Sequence, residues 1–383
     1  MDERLEWVWQ AIRPKRLQNT LEEMIDIYSP FGKEEDIQLY LEALLNDKGL
    51  TVRRQEVEKE RYNLIVTMGR EQPDFFLTGH VDTIPAWDLN SYGPRKTGDT
   101  IFGLGSADMK GGCAAMVETF LAMADALPRS RQPSVGLLLV VGEEETGDGS
   151  AVFLSEYHPS RVVIGEPTSL AACLSHYGYL EGNFITRGRR IHSSLPELGH
   201  NAVESMLRVL LHLGRAPLFD RGRSEVVSSI REMVSSRAGF VVPDRCEAWI
   251  DLHLPPGISP ALVEQKIREL GTSASGMIAD LTLEMNFGFA ALGYKLTGEA
   301  ILPNNLAHLY ETLGLTLRYD TFRSHSDGNL FFEAGVQPLL LGPGDLEVAH
   351  TPDEQISFPE VVNAAKIYAA LSLFQDPTEN NRS

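Results

Sequence analysis

Residues 134–147 read Ser-Val-Gly-Leu-Leu-Leu-Val-Val-Gly-Glu-Glu-Glu-Thr-Gly: an apolar run that breaks at Gly142 into three adjacent carboxylates, Glu143, Glu144 and Glu145. Such a run, without polar alternation, reads as a strand buried on both faces, and strands of that kind lie in sheets covered by helices on both sides. Working outward, helical spacing appears at 18–29, 34–48, about 111–126 and 149–156, with strand candidates at 51–56, 62–68, 74–79 and 161–165. This alternation predicts an α/β sheet sandwiched by helices. Near residue 176 the pattern changes. Strands are expected near 179–186, 226–234, 246–254 and 280–287, interrupted by a helix over 201–213 and another that opens with Ser259 as N-cap and Pro260 in its first turn. Helix 304–313, strand 338–341 and helix 359–374 then resume the earlier style, and 379–383 read as a frayed end. The expected organisation is an outer domain of residues 1–175 and 291–383 with a smaller α+β insert, 176–290, one sheet face of which is free to pair.

The 383 residues carry 53 acidic and 34 basic side chains, a formal net charge of −19. That balance disfavours a phosphate backbone or an anionic bilayer as partner. Cys113, Cys173 and Cys246 are widely spaced, which implies neither a disulfide framework nor a thiolate zinc site. The start is charged rather than signal-like, and the longest apolar runs are strand-sized, so a cytoplasmic protein is expected.

Five segments carry candidate chemistry. His80-Val81-Asp82 follows Phe75-Phe76-Leu77, and two-residue spacing in an extended chain lets Asp82 orient the imidazole of His80. Asp108 sits in Gly103–Gly112, a glycine-rich turn that lacks the spacing of a phosphate cradle. The other three are the Glu143–Glu145 run, Glu166-Pro167-Thr168 and Ala349–Glu354, which contains His350. Taken singly, each has an ordinary explanation as a polar loop, a helix cap or a solvated acidic run. Together, His80, Asp108, Glu145, Glu166 and His350 all follow strands of one sheet, beyond whose carboxyl ends ligands collect. Two imidazoles and three carboxylates suit zinc, cobalt or manganese, and five ligands are a sensible number for two cations sharing one carboxylate.

The motifs HVD, GLGSADMKGG, EEETG, GEPT and AHTPDE, in this order, resemble the dinuclear-metal aminoacylase/carboxypeptidase family of metallohydrolases, which includes acetylornithine deacetylase and succinyl-diaminopimelate desuccinylase. The resemblance spans nearly the whole chain. It implies a zinc-exopeptidase-like fold, with a mixed, mostly parallel sheet and an inserted lid that dimerises. It implies one metal on His80, Asp108 and Glu166, and a second on Asp108, Glu145 and His350. Aligned on Gly147, the family's acidic motif makes Glu144 the general base, and Asp82 matches its supporting aspartate. Arg190–Ser194 resembles the lid segment whose histidine, here His192, reaches the neighbouring subunit's active site. The implied activity is amide hydrolysis of an N-acyl amino acid or related amine, with a dipeptidase or carboxypeptidase as the alternative.

Two positions depart from the family. Phe240 stands where many relatives carry Asn, and His253 where they carry a carboxylate-gripping Arg. An imidazole does not replace a bidentate guanidinium. Either another cation, Arg323 or Arg189, takes the carboxylate, or the substrate differs.

Overall fold

The apolar run forms the strand Val135–Val140, all six residues buried, inside a mixed sheet. The structure, a computed structural model, describes residues 2–219, 225–236, 239–296 and 306–374. The chain divides into two compact units: Met1–Leu174 with Leu296–Asp320 and Ser326–Ser383, and Ser175–Lys295 with Thr321–His325.

In the larger unit the sheet runs Val52–Glu58, Arg61–Met68, Val135–Val140, Phe75–His80, Arg161–Ile164, Gln337–Leu340, Ala172–His176. The four central strands are parallel, and the outer pairings are antiparallel. Phe76 packs edge-on against Phe153 and Tyr157 on one face. Gly79, pointing to the other face, abuts Met109 and Cys113 beside the helix Gly111–Ala126. That helix is buried from Gly111 through Met123, because the helices Glu3–Ala11, Pro14–Asp26 and Phe358–Leu373 pack around it. The register pairs His80 with Val140 and Thr78 with Ile164. Three parallel strands therefore release their carboxyl ends side by side, and the loops of His80, Glu143–Glu144 and Glu166 start from one edge; Asp108, expected after a strand of the same sheet, instead follows Thr100–Phe102, which pairs in a separate three-stranded sheet.

One close approach fixes the spacing there. A Cβ on Gly112 would lie 2.2 Å from the Gly165 carbonyl oxygen, so only glycine lets the helix start reach the loop that carries Glu166.

The smaller unit is an antiparallel sheet in the order Val227–Ser235, Arg245–Leu254, Gly178–Arg187, Thr282–Ala291, with the helices Ala202–Leu213 and Pro260–Met277 packed on it. Period-two alternation is plain in Arg245–Leu254, where Cys246, Ala248, Ile250, Leu252 and Leu254 are buried. Asn201 caps the first helix through the Val203 and Glu204 amides. Ser259 holds the N-cap position of the second, but its side chain makes no capping bond; Pro260 supplies the start instead.

Several boundaries differ from the sequence reading. Helix Glu3–Ala11 was not anticipated; only Leu5 and Val8 of its nine residues are buried, too short an apolar stripe to register. Thr321–His325 belong to the smaller unit, not to the outer domain, because the Tyr177 amide donates to the Phe322 carbonyl and His325 stacks on Tyr179 with ring centroids 4.5 Å apart. Of the helix expected over 304–313, Leu306–Thr312 is observed; residues 304–305 and the end read as frayed lie outside the described residues.

Candidate metal centre

His80 is the last residue of its strand and fully buried. Its Nδ1 lies 3.0 Å from the backbone carbonyl of Asp82, whereas the Asp82 carboxylate is 3.6 Å away. The expected side-chain contact is thus mainly a backbone one. The Asp82 carboxylate is engaged elsewhere: its two oxygens accept the Glu143 and Glu144 amides at 3.2 and 3.0 Å. Those bonds pin the acidic turn to the strand that ends in His80.

The turn then decides which carboxylates point inward. Gly142 and Gly147 both take positive φ, and the Thr146 and Gly147 amides return to the Gly142 carbonyl. Glu143 and Glu144 are drawn under the sheet edge, and Glu145 is left exposed on the outside of the turn. This corrects the one-residue register taken from Gly147. Glu144, not Glu145, lies 3.2 Å from His350 Nε2, and Glu143 lies 3.9 Å from His80 Nε2. Behind Gly142, the buried Arg61 guanidinium bonds Glu34 and Asp148, leaving no room for a side chain at Gly142.

Asp108 occupies the centre. Its Oδ1 is 3.3 Å from His80 Nε2 and its Oδ2 is 3.4 Å from His350 Nε2. The peptide after it, Asp108–Met109, is cis. Glu166, released by the strand Arg161–Ile164, places Oε1 4.0 Å from His80 Nε2. His350 has φ +59°, a left-handed conformation uncommon outside glycine though more frequent for histidine, and its side chain is half-exposed. His80, Asp108 and Glu144 offer ligand atoms all within 4.8 Å of one another.

The electrostatics follow from crowding. Burial raises the carboxyls of Glu143, Glu144 and Glu166 above the ordinary range. Burial opposes charge on His80, but the bond to Asp108 and the surrounding carboxylates outweigh it and hold its pKa well up. For His350 the same contest, led on the raising side by Glu144, ends at about 10. The leading counter-charges for Glu143 and Glu166 are imidazole, not ammonium or guanidinium. Carboxylates crowded this closely, with imidazoles as their leading counter-charge, are a nitrogen and oxygen donor set that fits divalent cations, and no thiolate competes: Cys113 donates to the His80 carbonyl and burial pushes its thiol up to about 12.

Two further carboxylates bear on the site: Asp327, which the sequence reading leaves out, and Glu354, which it includes in the Ala349–Glu354 segment without a role. Asp327 caps no ligand but is buried, accepts a 2.6 Å bond from Ser150 Oγ and acts on Glu143 through space; an isolated Ser-Asp-Gly gives little signal in a single sequence. Glu354 accepts from three amides of the Asp108 loop.

The expected lid residues all fall in the smaller unit. His192 is exposed, with Nδ1 2.7 Å from Ser194 Oγ. Phe240 is 86% exposed. His253 is partly buried, its imidazole pushed down by burial, and its ring lies edge-on to Tyr179. Arg323 is exposed, 6.0 Å over the Tyr177 ring.

Comparison with known proteins gives the family of the chain. Over 389 residues the chain is 29% identical to a probable carboxypeptidase of Aspergillus flavus, covering 91% of this chain and 87% of that protein. It is 28% identical over 342 residues to an acetylornithine deacetylase of Vibrio atlanticus, covering 82% and 84% respectively. In fold it is similar to a solved di-peptidase of Saccharomyces cerevisiae, with a TM-score of 0.80 at 14% identity over 98% of this chain and 100% of that one. The model of peptidase family M20/M25/M40 matches residues 76–373. The chain belongs to peptidase family M20/M25/M40, and is a metallohydrolase of that family.

Proposed function

We propose that this chain hydrolyses the amide bond of an N-acyl amino acid or a related N-acylated amine at a site for two divalent ions, zinc by the character of its donors, with cobalt or manganese as substitutes. The observation that carries this reading is the Asp108 carboxylate, which turns one oxygen to His80 and the other to His350. His80, Asp108 and Glu166 would hold one ion, and Asp108, Glu144 and His350 the other. Such a pair, when bound, makes a water acidic enough to attack at neutral pH and polarises the scissile carbonyl.

Every other part falls to the chain. Glu143, close to His80 and not needed as a ligand, takes the proton from the attacking water and returns it to the departing amine. Asp82 holds Glu143 and Glu144 by their amides, so base and ligand move together. In the smaller unit, the exposed His192 would act in a second copy's site, and Arg323 would take the substrate carboxylate near His253, with Phe240 offering an apolar contact. Homodimerisation through this unit is supported by the apolar side chains that the edge strand Val227–Ser235 exposes, Ile230, Met233 and Val234.

A second reading, an exopeptidase using the same residues, is favoured by the name carboxypeptidase that the fungal relatives bear. Zinc-loaded protein assayed against N-acetyl amino acids and dipeptides, with and without chelator, separates the two. Chelator-sensitive turnover of the N-acetyl series is the expected result. Turnover of dipeptides alone selects the second reading, and turnover of neither by a protein that binds two ions refutes both.

A further inference from the structure

Glu354 is buried, four residues beyond His350, and its carboxylate accepts three backbone amides of the opposing loop. Oε2 takes Gly105 at 2.8 Å, and Oε1 takes both Ala107 and Asp108 at 3.0 Å. Its own backbone carbonyl accepts the Gly103 amide at 3.1 Å. The short helical turn Ser106–Lys110 leaves helical geometry at Asp108 and Met109, so the amides of Gly105, Ala107 and Asp108 turn to Glu354 for an acceptor, and buried amides without acceptors are costly. A single side chain from the His350 loop therefore defines the path of the Asp108 loop. Gly105 takes φ +75° within that path, and the Asp108 amide that Glu354 accepts belongs to the residue whose two carboxylate oxygens face the two imidazoles.

We infer that Glu354 is the positioning residue that couples the two loops of the metal centre, setting the distance between Asp108 and His350 and with it the affinity for the second ion. This inference rests on the dinuclear reading above. The geometry distinguishes it from a generic buried acid. A glutamine can still accept Ala107 and Asp108 on its one oxygen, but it turns an NH2 group towards the Gly105 amide, donor against donor. Aspartate keeps both acceptor oxygens on a shorter stem.

The test is zinc titration of the metal-depleted full-length protein against a chromophoric chelator, for the unsubstituted chain, Glu354→Gln, Glu354→Asp and His350→Ala, with thermal unfolding of each metal-depleted protein alongside. Glu354→Gln is expected to weaken the second zinc at least tenfold with the first changed less than threefold. Glu354→Asp should recover part of that loss, and His350→Ala should abolish the second site. If Glu354→Gln binds both ions like the unsubstituted chain, or lowers only the unfolding temperature of the metal-depleted protein, the coupling role is overturned while the dinuclear reading stands. An unsubstituted chain that binds fewer than two ions overturns that reading and this inference with it.

Discussion

The one-residue register of Glu143–Glu145 separates sequence pattern from geometry, and three isosteric variants decide it. Alignment on Gly147 makes Glu145 a ligand and Glu144 the base. The folded turn instead presents Glu144 at 3.2 Å from His350 Nε2 and Glu143 at 3.9 Å from His80 Nε2, with Glu145 in solvent. Glu145→Gln changes an exposed group and is expected to leave kcat within about twofold, as surface substitutions generally do. Glu144→Gln removes an anionic ligand, so the bound metal should fall from two ions to one per chain. Glu143→Gln should keep both ions, since the amide removes only the proton acceptor. A general base contributes roughly 10²–10⁴ in rate, about 2.7–5.5 kcal/mol of barrier, and kcat should fall by that factor with little change in KM. Elemental analysis of gel-filtered protein and steady-state kinetics at saturating zinc measure all three. Loss of an ion in Glu145→Gln, with Glu144→Gln retaining two and losing only kcat, would refute the geometric assignment.

Arg61 bonds Glu34 and Asp148 at 3.1 and 2.6 Å, and the Glu34 side chain is wholly buried. Arg61→Met strands Glu34 and should cost about 3–5 kcal/mol in urea unfolding, whereas adding Glu34→Leu should restore more than half of it; a double variant no more stable than the single one contradicts this. Burial pushes the Asp327 carboxyl from 3.8 up to about 7. In the metal-depleted protein the folded state then holds a proton that the unfolded chain has released, so this group's contribution to stability is full below pH 3.8 and is lost as pH rises through 7. Asp327→Asn removes that loss, and its stability relative to the parent should grow between pH 4.5 and 7.5, by at most about 4 kcal/mol; an unchanged difference across those pH values shows that Asp327 does not titrate there. Gly112→Ala drives a methyl against the Gly165 carbonyl. It should cost about 1–3 kcal/mol of stability and weaken zinc binding by displacing Glu166, and a neutral result in both assays would show that the helix start yields.

Most of the architecture was legible because it rests on local pattern. The apolar strand Val135–Val140, the amphipathic helix Ala202–Leu213 and the alternation in Arg245–Leu254 each carry their period in consecutive residues. His80, Asp108, Glu166 and His350 are legible as candidates because each sits in a loop of distinctive composition, and the structure brings Asp108 and Glu166 close to His80 and His350 close to Asp108. Thr321–His325 lie with the smaller unit, against the sequence expectation, because their place depends on Tyr177 and Tyr179, well over a hundred positions earlier.

What the sequence determined by itself was the mostly parallel sheet and the imidazole and carboxylate chemistry of its loops, since hydrophobic period and donor chemistry are properties of neighbouring residues. What only the tertiary structure decided was which two of three consecutive glutamates face inward. Two amide bonds to Asp82, some sixty residues away, and two amides returning to the Gly142 carbonyl rotate the turn by one position. The same holds for Glu354, whose partners lie some 250 residues earlier: buried amides must find acceptors wherever the fold brings them, and sequence spacing carries no trace of that requirement.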